Sequence, residues 1–480
     1  MLLQIEKLVY GGDGLARLPA DAQGPGKTAF VPFVIPGEEV EASTVETRPG
    51  FVRAKLDKVL TPSPERVEAA CPYFGRCGGC HYQHINYEAQ LRYKAEILRE
   101  ALRRTAKLDL EQEIQLHPSP PWNYRNRTRM RVRHTPGFVL LGYFRHNSHD
   151  VLPVESCPIS STLINQAIAA VWKLGRDGAL PQSVHGLQFF ANHDDTKLLV
   201  EVYAQPDSAG IHSSEGRHSG ESVPQYRGPS TSRGRPEKPD DLAPLRMTAD
   251  IQSFAAALHS ELLQVAGVVV FPTSSFEDET RQRAPLPAIH AESVGQAIGK
   301  ESLRYHAVGH DYRVSGGSFF QTNRFLLETL VQTVVAGGRG RGALDLYAGA
   351  GLFTAQLARN FDTVLAVESS PHAFADLRHN VPSNVKCVRS TCEKFLAERA
   401  AKLVPDLVVL DPPRSGLGER TARALGRMTV PRVTYVSCDP ATLSRDLRVL
   451  LEFNFRVEQA HLVDLFPQTF HVETVLHLAR

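Results

Sequence analysis

Three short motifs hold the residue types from which group-transfer chemistry is built. Tyr435-Val436-Ser437-Cys438-Asp439-Pro440 closes an apolar run, so its cysteine stands at a strand end among polar neighbours. Cys387, inside a strand-like run, and Cys392 suit the ordinary role of a small buried hydrophobe. Cys438 does not. Asp411-Pro412-Pro413-Arg414-Ser415-Gly416 closes a second run, at the edge where open α/β sheets handle their ligands. Asp345-Leu346-Tyr347-Ala348-Gly349-Ala350-Gly351 marks a strand turning into a helix, with glycines that let backbone N–H groups approach a ligand. A thiolate in such a cleft can split one hard transfer into easier steps by covalent addition. Added to carbon 6 of a pyrimidine, it creates an enolate whose carbon 5 can attack a sulfonium methyl group. A base must then remove the proton left on carbon 5 before the thiolate departs. Glu473, in Phe470-His471-Val472-Glu473-Thr474, is the candidate, and His471 on the same face either orients it or packs.

The elements that must position these groups form a recognisable series. From Gly342 onward, apolar runs at 343–346, 363–367, 385–388, 407–410 and 432–436 alternate with helical stretches. Such alternation predicts a parallel sheet covered by helices on both faces. Segments 457–465 and 470–478 follow without an intervening helix, which predicts an antiparallel hairpin at the sheet edge. That ending belongs to S-adenosylmethionine-dependent methyltransferases rather than to dehydrogenases. Thr354 stands where a nicotinamide-binding turn wants its third glycine. Glu368, at the end of the second strand, is placed to accept hydrogen bonds from two ribose hydroxyls. Arg414 occupies the place where an amino-group methyltransferase carries a base-stacking aromatic, which argues against an exocyclic amine as target.

Upstream, residues 1–60 read as short strands broken by Gly and Pro, which fits a small barrel of the oligonucleotide-binding kind or another small β domain. Residues 61–320 form a central α+β region. Within it, Tyr87 to Lys107 carries Leu91, Ala95, Leu98 and Leu102 on one helix face, with Asn86 as a cap. Residues 207–241, rich in Ser, Gly, Pro and Arg, read as a disordered insertion, and 321–480 is the methyltransferase region. Arg125, Arg127, Arg129, Arg131 and Arg133 alternate along one candidate strand. They present either a phosphate-contacting face or a stripe neutralised by carboxylates of a neighbouring strand.

Cys71, Cys77 and Cys80 lie within ten positions, and Cys157 offers a fourth thiolate. Four thiolates suit either zinc or an iron-sulfur cluster, and spacing alone does not choose. The 480-residue chain has seven cysteines, a formal net charge of +2, 42% hydrophobic and 22% charged residues, which is too much core for one domain and unlike a secreted disulfide framework. Without a secretory signal or an apolar run of roughly 18 to 20 residues, the compartment expected is the cytoplasm.

Taken together, these motifs resemble the RNA 5-methyluridine methyltransferase family, and within it the iron-sulfur-containing 23S ribosomal RNA branch that carries a TRAM domain. The likeness runs through nearly the whole chain. It includes Cys71, Cys77, Gly78, Gly79, Cys80 and Gln83, Asn123-Tyr124-Arg125-Asn126 and Ser318-Phe319-Phe320-Gln321-Thr322-Asn323. It continues through the 345–351, 411–416 and 437–446 motifs to Asp464-Leu465-Phe466-Pro467-Gln468-Thr469. The resemblance implies that Gln321, Tyr347, Glu368 and Asp411 contact S-adenosylmethionine, that Cys438 is the nucleophile and Glu473 the base. It further implies that Cys71, Cys77, Cys80 and Cys157 hold a 4Fe-4S cluster. The implied partner is RNA, ribosomal first and transfer RNA as the alternative. A cytosine-C5 enzyme would carry a second cysteine in the motif where this chain has Asp411-Pro412-Pro413. A nicotinamide oxidoreductase would have no use for Cys438.

Overall fold

Alternating apolar and polar residues at the start of the chain fold as β1 (Leu2–Gln4), β2 (Lys7–Leu8), β3 (Asp13–Arg17), β4 (Thr28–Pro32), β5 (Glu39–Arg48) and β6 (Phe51–Thr61). They make one sheet in the order β1-β5-β6-β4-β3-β2, closed over a small core that includes Leu3, Ala16, Val31 and Val40. The structure is a computed structural model that describes residues 1–19, 26–205, 248–273 and 296–480. The 207–241 insertion lies outside the described residues.

Helix α1 (Tyr87–Ala101) starts where expected, with the Asn86 side chain accepting from the Ala89 N–H at 2.9 Å. Leu91, Leu98 and Leu102 are buried as their spacing predicts. After β7 (Ile114–His117) comes the second sheet, built from β8 (Arg127–Thr135), β9 (Phe138–Phe144), β10 (Val151–Pro153), β11 (Val184–Ala191), β12 (Leu198–Ala204), β13 (Val265–Pro272) and β14 (Gln296–Gly299). Its order is β10-β9-β8-β11-β12-β13-β14, so stretches on both sides of the insertion share one sheet. Helices α2 (Thr162–Arg176) and α3 (Ala249–Glu261) cover one face through Ile164, Ile168, Phe254 and Leu258. The other face, through Phe190, Leu199 and Tyr203, meets the hairpin of β15 (Ser302–Ala307) and β16 (His310–Ser315).

The arginine alternation does not make a free face. Arg125 precedes β8. Arg127 donates to the Ser318 carbonyl at 2.5 Å and lies 4.2 Å from the centre of the Phe190 ring. Arg129 donates to Gln188 and Tyr203, and Arg131 sits over Phe144. Aromatic rings and oxygen acceptors, which a period-two pattern does not reveal, have taken up Arg127, Arg129 and Arg131, while Arg133 stays exposed.

The third sheet follows α4 (Leu327–Val335). It is built from β17 (Gly340–Leu346), α5 (Leu352–Leu357), β18 (Phe361–Glu368), α6 (Pro371–Asn380), β19 (Val385–Arg389), α7 (Cys392–Arg399), β20 (Leu407–Leu410), α8 (Glu419–Gly426), β21 (Arg432–Ser437), α9 (Pro440–Leu451), β22 (Arg456–Val463) and β23 (Thr474–Ala479). Successive residues feed opposite cores: Leu344, Leu346, Val408 and Leu410 on one side, Ala343, Leu407 and Val409 on the other. The order is β19-β18-β17-β20-β21-β23-β22-β7. The final pair is antiparallel, as expected, but it is not the edge. β7, from far upstream, pairs parallel with β22 and covers it, Ala460 facing Ile114 and Val463 facing His117.

Candidate active site

The carboxyl ends of β17, β18, β20 and β21 converge, as parallel pairing of these neighbours requires. The first turn is demanding: Tyr347, Gly349 and Gly351 all have positive φ, and a Cβ at Gly351 would meet Leu377 at 3.0 Å. Glu368 shapes the turn, accepting from Gly349 N–H at 2.8 Å and from Ser369 and Ser370 N–H at 2.7 and 2.6 Å. Tyr347 donates its hydroxyl to Glu393 at 3.1 Å. Thr354, read as the departure from a nicotinamide turn, is wholly buried and donates to Asp345. Burial pushes the Asp345 carboxyl up to about 7.

Asp411 follows β20 and receives the Gln321 side-chain amide at 3.3 Å. Gln321 belongs to a buried segment fixed by Asn126, whose side-chain amide donates to the Gln321 carbonyl at 3.1 Å and whose backbone N–H donates to the Thr322 carbonyl at 3.0 Å. Burial also pushes Asp411 up to about 7. Cys438 follows the last residue of β21 and is half-buried. Its thiol is pushed up to about 12, first by burial and then by the negative charges of Glu473 and Asp411, with Arg414 pulling the other way. Glu473 is buried just before β23, and burial, followed by the charge of Asp411, holds its carboxyl well above the ordinary range. Three of the expected groups thus meet at one sheet edge: Cys438 and Glu473 flank the paired residues Ser437 and Thr474, Asp411 follows the neighbouring β20, and Arg414 is the cation among them.

His471 does not orient Glu473. It meets the Arg414 guanidinium at 3.3 Å, and burial, then Arg414, holds its pKa well below the usual value, so the ring is neutral.

The loop that delivers Glu473 is held from outside the sheet. Lys94 and Asp464 form a fully buried pair at 2.6 Å, and Tyr87 donates to the same carboxylate at 2.8 Å. Lys94 also reaches the Phe466 carbonyl, Tyr124 the Pro467 carbonyl, and Asn323 the Leu465 carbonyl. Gln468, at φ +67°, exchanges hydrogen bonds with Gln90, and its carbonyl accepts from His81 and Tyr82 N–H.

The four cysteines of the central region come together as free thiols. After burial, the charge of Cys157 is among the influences that raise Cys71, Cys77 and Cys80, the last two to about 11 and about 12. Gln83 accepts from Cys71 N–H, and Asn165 brackets the Cys157 peptide with bonds of 2.7 and 3.0 Å. Among the described residues, no group of three His, Cys, Asp or Glu side chains is arranged to hold a metal ion.

Three residues of the site escaped the pattern of the sequence. Arg414 entered only as a missing aromatic. Phe319, 62% exposed and two positions before Gln321 in the chain, was one half of a Phe-Phe pair whose partner Phe320 is buried. Tyr10 comes from the first sheet's turn and donates to the Cys438 carbonyl at 3.3 Å. An alternation of exposed and buried aromatics could have marked Phe319; nothing local marks Tyr10.

Residues 293–480 match the family described as tRNA (Uracil-5-)-methyltransferase. Over its full length the chain is similar to a protein of Aquifex aeolicus named as an RNA methyltransferase, 29% identical over 479 residues, covering 98% of this chain and 97% of the relative. A Halalkalibacterium halodurans protein of the same description is 28% identical, covering 98% and 95%. The fold is that of the Pyrococcus abyssi tRNA (uracil-54, C5)-methyltransferase, solved with S-adenosyl-L-homocysteine, at a TM-score of 0.68 and 23% identity with all of both chains covered. No helix among the described residues is long and apolar enough to cross a membrane.

Proposed function

We propose that the chain, whose residues 293–480 match the family described as tRNA (Uracil-5-)-methyltransferase, methylates carbon 5 of a uridine in RNA through a covalent adduct of Cys438. The observation that carries this is the placement of Cys438, Asp411 and Glu473 at adjoining strand ends, with the charge of Arg414 among them. S-adenosylmethionine supplies an electrophilic methyl group when bound, and Gln321, Tyr347, Glu368 and Asp411 are the residues assigned to hold it. The Cys438 thiolate adds to carbon 6, forming the sulfur–carbon bond and moving the ring's electron pair toward carbon 5. Carbon 5 takes the methyl group, and Glu473 accepts the proton that remains there. Re-forming the double bond expels the thiolate. The positive charge of Arg414 favours the thiolate, opposing the burial that holds the free thiol neutral. Because base stacking hides this position in a duplex, the target is unpaired or flipped out, and exposed Phe319 is suited to stack on a displaced base.

Large-subunit ribosomal RNA is the proposed substrate, on the joint presence of the N-terminal sheet and the cysteine segment. A transfer RNA uridine is the second reading, favoured by the substrate named for the Pyrococcus enzyme. Cys71, Cys77, Cys80 and Cys157 are assigned to a 4Fe-4S cluster. The donor chemistry fits, because four soft, uncrosslinked thiols share one neighbourhood.

The deciding experiment is nucleoside analysis of unmodified 23S ribosomal RNA incubated with S-adenosylmethionine and either the natural chain or Cys438→Ala. 5-Methyluridine is expected with the natural chain alone. 5-Methylcytidine would overturn the base assignment, and activity on transfer RNA only would overturn the ribosomal one. The same protein, purified anaerobically, is expected to be brown; a colourless, zinc-containing sample sinks the cluster assignment and leaves the chemistry standing.

A further inference from the structure

Tyr10 leaves the N-terminal sheet and enters the cleft. Its hydroxyl donates to the Cys438 carbonyl at 3.3 Å, and its ring meets Phe470 edge-on, centroids 5.4 Å apart and planes at 89°. One side chain therefore touches the segment that carries the nucleophile and the segment that carries the base. The Cys438 carbonyl lies just beyond the last paired residue of β21, Ser437, so the sheet ladder does not hold it. The turn that presents Tyr10 is tightly seated. Gly11 and Gly12 have φ of +112° and +98°, and a Cβ at Gly12 would meet His81 at 3.2 Å. His81 in turn packs on Phe470 at 4.6 Å.

We propose that Tyr10 is a positioning residue for the nucleophile, which makes the N-terminal sheet a working part of the catalytic assembly. This rests on Cys438 being the nucleophile. A thiolate must approach carbon 6 along a narrow path, and an ångström of misplacement can cost about a hundredfold in rate. Tying down the peptide from which the thiol projects limits that error. Burial, reinforced by the charges of Asp439 and Cys438, holds the Tyr10 hydroxyl above its ordinary pKa, so it stays a donor at neutral pH.

Tyr10→Phe removes the hydroxyl and keeps the ring on Phe470. The readout is single-turnover adduct formation with a 23S ribosomal RNA transcript carrying 5-fluorouridine, which has no proton on carbon 5 and so traps the adduct. With Tyr10→Phe the adduct rate is expected to fall about tenfold, with KM for RNA and the melting temperature unchanged. Tyr10→Ala, which also loses the contact with Phe470, is expected to fall further. An unchanged adduct rate in Tyr10→Phe overturns the inference, as does a rise in KM alone, which would make Tyr10 an RNA contact. If, on both the 23S ribosomal transcript and a transfer RNA transcript carrying 5-fluorouridine, the natural chain forms no adduct that Cys438→Ala lacks, the nucleophile assignment falls and this inference falls with it. An adduct formed equally fast by the natural chain and Tyr10→Phe removes the inference alone.

Discussion

The two halves of the cleft are built by different means. The half carrying Glu368, Asp411 and Cys438 is a row of strand ends, each set by parallel pairing with its neighbours and a local turn. The half carrying Glu473 is an irregular loop whose carbonyls are held by Lys94, Tyr124, Asn323 and the backbone at His81 and Tyr82, all from upstream of the final sheet. On the proposed assignment, binding and attack thus rely chiefly on order within one sheet, with Gln321 and Tyr10 added from outside it. The proposed proton removal by Glu473 relies on docking of the central region against it.

Glu473→Gln tests that division most severely. Turnover is expected to fall about 10²- to 10⁴-fold, while adduct formation survives and the RNA stays attached to Cys438 after methyl transfer. The pH dependence sharpens it. An ionised Glu473 disfavours the thiolate, so removing its charge lowers the pKa of Cys438 and moves the alkaline rise in adduct formation to lower pH. A shift in the opposite direction would place Glu473 away from the thiol in the working enzyme.

Asp464→Asn strikes the docking itself. It leaves the buried Lys94 ammonium without its carboxylate partner, a loss expected to cost about 3 to 5 kcal/mol and to lower the melting temperature sharply. If it melts like the natural chain, the loop is not held as described. The smallest change is Asn86→Ala, which removes the cap of the helix bearing Gln90 and Lys94. About 1 kcal/mol of stability should be lost, seen as a modest shift in thermal unfolding with the adduct rate unaltered. A large loss of adduct rate would mean that the helix also governs the nucleophile half.

The same division explains what could be read without coordinates. Strand, turn and helix succeed one another within a few residues around Gly351, Asp411 and Cys438, so their chemistry and their placement are written locally. The cap at Asn86 is equally local. Arg127 and Arg129 show the limit: alternation put them on one face, but whether that face meets phosphate, carboxylate or Phe190 and Tyr203 depends on strands far away in the chain. The two readings of His471, orienting Glu473 or packing, stayed open for the same reason, since its partner Arg414 lies 57 residues upstream. The pairing of β7 with β22 spans still more chain and left no mark in the pattern of either strand.

That pairing has a consequence for the independence of the family-matched segment. β22 would be the outermost strand of the final sheet if the chain began at residue 293, with Ala460, Leu462 and the backbone around them open to any passing strand. Residues 114–117 act as a built-in selvedge that stops the weave from fraying. The segment that matches a family on its own therefore does not supply both borders of its sheet. Its border is sewn on from the region that also bears the four clustered thiols.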